Sequence, residues 1–435
     1  MEPGQGRGGR VIAELVNTGT ELLLGRVLNT HQQWICRQLA DLGWVVERQV
    51  AVPDTGRDIR DGVREALGRA DLVIATGGLG PTSDDITRDL IAEMLGRKLV
   101  MDETIRDAIR QFFVSRNRPQ PARTEVQALV PEGAIVLPNS HGTAPGLAME
   151  VPAHVFRGAP SWLIMLPGPP RELRPMWAEH VVPLLKRVFP SNEPFVCRTL
   201  KTTGVGESRV EEIIAKHLAD LVSEGLEIGY CARVGEVDVR FICRGARSPE
   251  VVGQAEKITR RLLRDHIFGQ DDDQLEDVLV RLLAERKRTL ALAESCTGGF
   301  IANRITNVSG ASVVLLAGLV TYSNEAKQQF LGVSGETLKK HGAVSEAVAR
   351  EMAQGVRQRT GSDYGISVTG IAGPTGGTPE KPVGTVFIGL ATPTETTVVH
   401  KLNGFDRETF KYVTSQQALE LLRTALLAGN KKPTV

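Results

Sequence analysis

Four stretches of this chain set reactive side chains against glycine turns. In the first, Glu294-Ser295-Cys296-Thr297-Gly298-Gly299 follows a short apolar run, 289–293, that reads as a strand. A helix reads onward from about Gly298. Its start would offer free backbone N–H groups and a positive dipole end. A serine oxygen there can be a nucleophile, with neighbouring N–H groups as an oxyanion hole. The plain alternative makes Ser295 and Thr297 simple helix caps. Cys296 competes as nucleophile, but a lone thiol with no evident His beside it reads as inert. The second stretch, Thr321-Tyr322-Ser323-Asn324-Glu325-Ala326-Lys327, lies where a strand over 313–322 runs into a helix. Lys327 can act as a base only if burial or a neighbouring cation brings it well below ~10.4, and Tyr322 faces the same demand from ~10. Otherwise both are ordinary surface residues.

The third stretch, Thr369-Gly370-Ile371-Ala372-Gly373-Pro374-Thr375-Gly376-Gly377, follows a strand over 364–369. Its glycines permit close approach to a phosphate or ribose. No Gly-Lys-Ser/Thr follows, so it is not a P-loop, and a flexible connection is the alternative. The fourth, Gly77-Gly78-Leu79-Gly80-Pro81-Thr82, is followed by Asp84 and Asp85. Such a turn can cradle phosphates while adjacent carboxylates, with Glu21 as a further ligand, recruit a divalent ion. One of the two aspartates reads equally well as a helix cap.

The elements that must position these residues alternate. Strands are predicted over 11–16, 44–52 and 71–76. Helices follow after Asn29, over 59–67 and from 86 to Gly96. Strand–helix alternation means a mostly parallel sheet covered on both faces, with ligands held beyond the carboxyl ends of its strands. Residues 18–21 and 77–85 fall at such ends. A break falls near 190–194. Strands over 195–202, 226–231 and 237–244, with helices over 207–221 and 249–265, then make a small α+β unit. A spacer or dimerising module is its plain reading, and a homodimer is expected. A third block starts with a helix over 275–285. It adds a helix over 345–360 with a Ser345 cap, a hairpin of 385–391 with 396–401, and a last helix over 406–427.

The bulk properties restrict the partners. With 435 residues, 52 basic and 51 acidic side chains, the net charge is +1, and aromatics make up 5%. Neither a broad footprint for nucleic acid or membrane nor a stacking platform for single strands is expected. Apolar runs are far shorter than the ~18 residues that span a bilayer. Residues 1–10 lack an apolar core, so no signal or transit segment is expected there. Five scattered cysteines without a CxxC read as reduced thiols of a cytoplasmic protein, with no zinc spacing.

These motifs carry a resemblance. AESCTGG (293–299), TYSNEAK (321–327), Leu331-Gly332-Val333, HGAVSE (341–346) and VTGIAGPTGGTPEKPVG (368–384) resemble the C-terminal domain of the CinA family, a nicotinamide mononucleotide deamidase. TGTELLLG (18–25), TGGLGPTSDDIT (76–87), GTAPG (142–146) and LPGPPREL (166–173) resemble the family's N-terminal domain, which is related to molybdopterin-binding domains. The resemblance implies an α/β chain of three parts. These are a doubly wound molybdopterin-binding-like domain (10–190), a small α+β middle domain (195–268) and an α/β CinA-type amidase domain (274–430). It implies hydrolysis of nicotinamide mononucleotide to nicotinate mononucleotide and ammonia, a step of pyridine nucleotide recycling that needs no cofactor. Ser295 would attack the carboxamide and Lys327, helped by Tyr322, would move the proton. Cys296, Thr297, Gly298, Thr369, Gly370, Gly373 and Arg407 would bind substrate. For the first domain it implies metal-dependent ADP-ribose pyrophosphatase activity, with Gly77, Gly78, Gly80 and Thr82 on substrate and Asp84, Asp85 and Glu21 on the metal.

Departures are visible. Phe405-Asp406-Arg407 stands where the family has Gly-Asp-Arg, and Lys411 where arginine is common. Asn29 and His31 stand where Asp and Asn are frequent. Two other classes stay open: a pterin-binding module in molybdenum cofactor synthesis, and a non-enzymatic scaffold in competence or damage response. The Ser295, Tyr322 and Lys327 set speaks for an enzyme.

Overall fold

The computed structural model describes residues 11–190 and 194–428. Residues 1–10, part of the break near 190–194 and the end of the third block at 429–430 lie outside the described residues. Compactness divides the chain between Cys197 and Arg198 into two units.

The first unit is built on a six-stranded mixed sheet. Its spatial order is Val45–Val52, Ile12–Thr18, Leu72–Thr76, Ser161–Leu166, Gly146–Val151, Ile135–Leu137. The first four strands are parallel and the last two antiparallel. Leu72–Thr76 is buried at every position, as a central strand covered on both faces must be. Alternate residues divide between two cores. Val73 and Ala75 meet the helix Gly56–Leu67, while Leu72 and Ile74 meet Ile35 and Leu39 of the helix Thr30–Asp41. Asn29 caps that second helix, its side-chain oxygen accepting from the Gln32 N–H at 3.1 Å. A helix over Glu103–Val114 and a two-stranded pair, Leu99–Met101 with Leu129–Pro131, follow regions where no pattern was read.

The second unit holds two sheets. The four-stranded one runs Glu227–Arg233, Glu236–Arg244, Phe195–Thr203, Ile267–Gln270, with helices Glu207–Ser223 and Ser248–Leu263. The edge strand Ile267–Gln270 was not expected. The five-stranded sheet runs Leu315–Val320, Leu290–Glu294, Tyr364–Gly370, Thr385–Ala391, Thr396–Leu402. Its first three strands are parallel and the last two antiparallel. The strand expected over 313–322 is confined to Leu315–Val320, because 311–313 forms a single 3₁₀ turn.

Residue size sets the layers of this second sheet. Leu290 and Leu292 face the helices Leu275–Glu285, Phe300–Thr306 and Arg407–Ala428. Ala291 and Ala293 point to the other face, where small side chains let the helix Glu346–Thr360 approach closely. That helix in turn packs against Asn324–Leu331, the helix that carries Lys327. At the contact, a Cβ on Gly355 would lie far inside van der Waals distance of the Leu331 carbonyl oxygen. Gly→Ala within a helix ordinarily gains stability. Here the sign should reverse. Gly355→Ala should cost about 1–3 kcal/mol, the scale of core overpacking, and lower Tm. A Tm equal to or above that of the parent would show that the two helices do not meet so closely.

Candidate active site

Register brings the first two reactive stretches together. Leu290–Glu294 and Leu315–Val320 run parallel with Glu294 opposite Val320. The Thr321 N–H donates to the Glu294 carbonyl at 2.9 Å, and the Ser295 N–H to the Val368 carbonyl at 3.0 Å. Ser295 and Thr321-Tyr322 therefore leave adjacent strand ends side by side. Ser323 then caps the helix Asn324–Leu331, accepting from the Ala326 N–H at 3.1 Å. One turn in, Lys327 points back at the strand ends.

Lys327 is not a surface residue: it is 1% exposed. Its Nζ lies 3.1 Å from Ser295 Oγ, 2.9 Å from the Thr321 carbonyl and 3.2 Å from the Tyr322 carbonyl. Burial pushes its pKa below the ordinary lysine value. The neutral amine suits the same geometry. It keeps two N–H donors on the carbonyls and turns its lone pair to the Ser295 hydroxyl. Cys296 is buried beside it, and burial raises its thiol to about 12. A thiol held protonated is a poor nucleophile, and of the two side chains it is Ser295 whose oxygen lies within hydrogen-bond distance of the Lys327 amine.

The expected oxyanion donors are corrected by the geometry. The helix starts at Phe300, and its first N–H groups are occupied by the Glu294 side chain, not open to a ligand. The Gly298 N–H donates to the Ser295 carbonyl at 3.1 Å. Among the described residues, no oxygen accepts from the N–H groups of Cys296 or Thr297. Those two can receive a developing negative charge next to Ser295 Oγ.

Tyr322 lies elsewhere than expected. It is 62% exposed. Its hydroxyl accepts from Arg407 at 2.9 Å instead of reaching Ser295 or Lys327. The other arm of Arg407 donates to the Gly373 carbonyl at 2.9 Å. Arg407 thus ties the glycine loop to Tyr322, despite the Phe405 departure just before it. Thr369 is buried, its hydroxyl bonded to the Ala343 carbonyl at 2.8 Å. Gly370 fits closely against Thr385 and Val386, which leaves no room for a side chain. Both shape the loop's base.

In the first unit, three neighbouring parallel strands end at Thr18, Thr76 and Leu166. A crevice of roughly 400 Å³ opens there, lined by Gly19, Glu21, Gly77, Gly78, Gly80, Asp84, Asp85, Gln127 and Glu172 among others. Buried side chains fix the strand ends, Thr76 donating to Asn17 at 2.9 Å and Thr18 to the Thr76 carbonyl at 3.2 Å. Gly77 and Gly78 take left-handed φ values of 97° and 66°. Among the described residues, no oxygen accepts from the N–H of Gly78, Leu79 or Gly80. Asp85 folds back on Thr82, accepting from its N–H at 2.9 Å and from its hydroxyl. Asp84 and Glu21 are exposed. Among the described residues, no three His, Cys, Asp or Glu side chains are gathered to hold a metal ion. The carboxylates therefore do not form an all-protein cage. One or two exposed carboxylates beside a glycine turn would supply only part of a cation's shell. His31, half-buried on Thr30–Asp41, is held below the usual imidazole range mainly by burial.

Comparison with known proteins agrees with this division. The probable molybdopterin binding domain family matches residues 14–187. The damage-inducible protein CinA KH domain matches 197–269, and the CinA C-terminal domain 272–426. The chain is 45% identical over 420 residues to a putative competence-damage inducible protein of Moorella thermoacetica, covering 96% of this chain and 99% of that protein. It is 44% identical over 425 residues to a CinA-like protein of Akkermansia muciniphila, covering 98% and 99%. Of solved structures, the competence/damage inducible protein CihA of Agrobacterium tumefaciens is 38% identical. It covers 36% of this chain and 97% of that one, at a TM-score of 0.33. With a serine and a buried lysine at the strand ends of one unit, a glycine crevice at those of the other, and relatives matched almost end to end, the chain belongs to the CinA family.

Proposed function

We propose that the second unit hydrolyses the carboxamide of nicotinamide mononucleotide, giving nicotinate mononucleotide and ammonia. The observation that carries this reading is the buried Lys327 amine, 3.1 Å from Ser295 Oγ, with two carbonyls as its other partners. A lysine so placed can exist neutral and serve as a general base. Ser295 Oγ attacks the carboxamide carbon as its proton passes to Lys327 Nζ. The oxyanion faces the N–H groups of Cys296 and Thr297. Lys327 returns the proton to the amide nitrogen, which leaves as ammonia. A water then attacks the acyl carbon as its proton passes to Lys327 Nζ; the acyl–Oγ bond breaks, Lys327 returns that proton to Ser295 Oγ, and nicotinate mononucleotide leaves. The phosphate and ribose lie toward the glycine loop and Arg407, whose guanidinium suits a phosphate.

For the first unit the reading is cleavage of the ADP-ribose diphosphate. It is favoured by the unbonded N–H groups of Gly78, Leu79 and Gly80 around the crevice. A divalent ion, when bound with the diphosphate, would supply charge neutralisation and an activated water. Asp84 and Glu21 would hold it. Pterin binding without cleavage, and a non-catalytic scaffold, are the outcomes that would replace these readings.

Four measurements test these readings. Ser295→Ala and Lys327→Met should each lower ammonia release by ~10²-fold or more, the scale of lost general-base or nucleophilic catalysis, with the fold retained by circular dichroism. In the parent, kcat should rise with pH as Lys327 loses its proton. Because burial lowers that pKa, the rise should fall below the ordinary lysine value of ~10.4. A flat profile up to that value would remove the base.

Tyr322→Phe should leave kcat nearly unchanged, because its hydroxyl meets Arg407 and not the reacting atoms. Arg407→Gln should raise KM several-fold. A large kcat loss in Tyr322→Phe would restore the tyrosine to proton transfer.

Addition of a chelator should stop ADP-ribose cleavage and leave ammonia release intact. Equal loss of both activities would contradict the assignment of a metal to the first unit alone.

A further inference from the structure

The strand that delivers Ser295 ends in a buried acid. Glu294 is 1% exposed. Its carboxylate is compensated by backbone donors: Oε2 accepts from the N–H of Gly299 at 3.0 Å and Ile301 at 3.1 Å, and Oε1 from Ala302 at 2.8 Å. The side chain thereby spans its own following loop and closes it at the base. Gly298 and Gly299, at left-handed φ values of 62° and 91°, make the reversal possible. Within the loop, the Gly298 N–H bonds Ser295 and the Phe300 N–H bonds Thr297. Among residues 295–302, the N–H groups of Cys296 and Thr297 are the ones from which no oxygen of the described residues accepts; their contact is the Cys296 sulfur, a weak acceptor that a substrate oxygen can displace.

We propose that Glu294 is the positioning residue of the amidase site, clamping the loop so that Ser295 Oγ meets Lys327 and the Cys296 and Thr297 N–H groups stay free for the substrate oxygen. This rests on the amide-hydrolysis reading. Glu294 touches no substrate, and it is not a proton carrier, since its oxygens are occupied by three donors. Its worth is geometric. Displacement of a nucleophile by about 1 Å can cost ~10²-fold in rate, and loss of an oxyanion donor ~10²–10³-fold. A glutamine cannot replace it. One acceptor oxygen becomes an NH₂ group, which must face a backbone N–H, so at least one of the three bonds is lost.

The test measures Glu294→Gln and Glu294→Asp in the full chain with nicotinamide mononucleotide. Glu294→Gln should lower kcat by 30-fold or more, with KM changed less than 3-fold. The pH midpoint of the kcat rise should not move, because burial, not this carboxylate, sets the amine of Lys327. Glu294→Asp, which keeps the charge but is one methylene short, should lose less. It decides the matter if the glutamine variant fails to fold. A kcat within 3-fold of the parent in the variant that folds would overturn the proposal. A shifted pH midpoint would overturn it too, since the carboxylate would then act by charge. So would a loss expressed in KM alone. A fluorophosphonate that labels reactive serines separates this inference from the substrate assignment. If the parent is labelled at Ser295 but releases no ammonia, the substrate reading fails, and slower labelling of Glu294→Gln still supports the clamp. Equal labelling rates would sink the clamp whatever the substrate.

Discussion

The second unit depends on a lysine amine buried without a carboxylate. Carbonyl dipoles satisfy the Nζ of Lys327 without neutralising it, so the cost of burying its charge stands and its proton is held weakly. A carboxylate in place of either carbonyl would favour the charged form of the amine. Two carbonyls can occupy that position only because the chain turns immediately past a strand end, at Thr321 and Tyr322. Glu294 opposite Val320 is the register that places this turn beside Ser295. A shift of one residue would send Ser295 to the opposite face of the sheet. The acid just before Ser295, Glu294, is meanwhile spent on backbone N–H groups at the start of the next helix.

Both units use the same device with different chemistry. Each places its reactive loops beyond the carboxyl ends of parallel strands, where backbone groups emerge unpaired. In the first unit the loops carry N–H donors and exposed carboxylates, groups of opposite polarity at one crevice. In the second they carry a hydroxyl and an amine, which suit an acyl carbon. Each sheet also adds antiparallel strands at one edge: Gly146–Val151 and Ile135–Leu137 in the first, Thr385–Ala391 and Thr396–Leu402 in the second. In the second unit the glycine loop is the connection into the first of these strands, so the turn from parallel to antiparallel creates the wall that Arg407 fastens.

Much of this was legible in the residues. Apolar runs of five or six residues ending in glycine turns marked the central strands, and the serine turn lay where a strand meets a helix. The burial of Lys327 was not legible. A lysine in a short polar helix carries no periodic mark, and what buries it is the return of that helix over the strand end at Ser295, 32 residues away in sequence. Tyr322 misled for the matching reason. Adjacent to the reacting atoms in sequence, it contributes its carbonyl to them while its ring turns outward. The helix start after Gly299 looked like an open donor set, because nothing in the spacing tells that the acid five residues earlier will cap it. An acid immediately before a glycine turn that opens a helix is the one signal that could have shown this. Among the metal candidates, Asp85 neither caps the helix Thr87–Met94 nor reaches into the crevice unbonded: it accepts from Thr82 three residues before it, a local turn bond.

The helix after Ser295 has seven residues, Phe300–Thr306, too few to persist on its own, since isolated helices below ~12–15 residues are marginal in water. Its conformation must therefore be imposed from outside, and both of its ends are held by charged side chains. Glu294 occupies the N-terminus. Near the other end, Arg304 is 6% exposed and donates to Ser415 at 2.8 Å, Gln416 at 2.8 Å and Glu276 at 2.6 Å. Gln416 passes on to Glu236 of the four-stranded sheet at 2.6 Å. A buried guanidinium that lost one of these partners would keep its charge without compensation, so the set behaves as a unit. The segment that starts at Ser295 is thus short, glycine-rich and intrinsically weak, yet fixed near its start by the preceding residue and at its far end by a network that reaches into three further segments. Rigidity at Ser295 comes from those anchors, not from the helix it precedes.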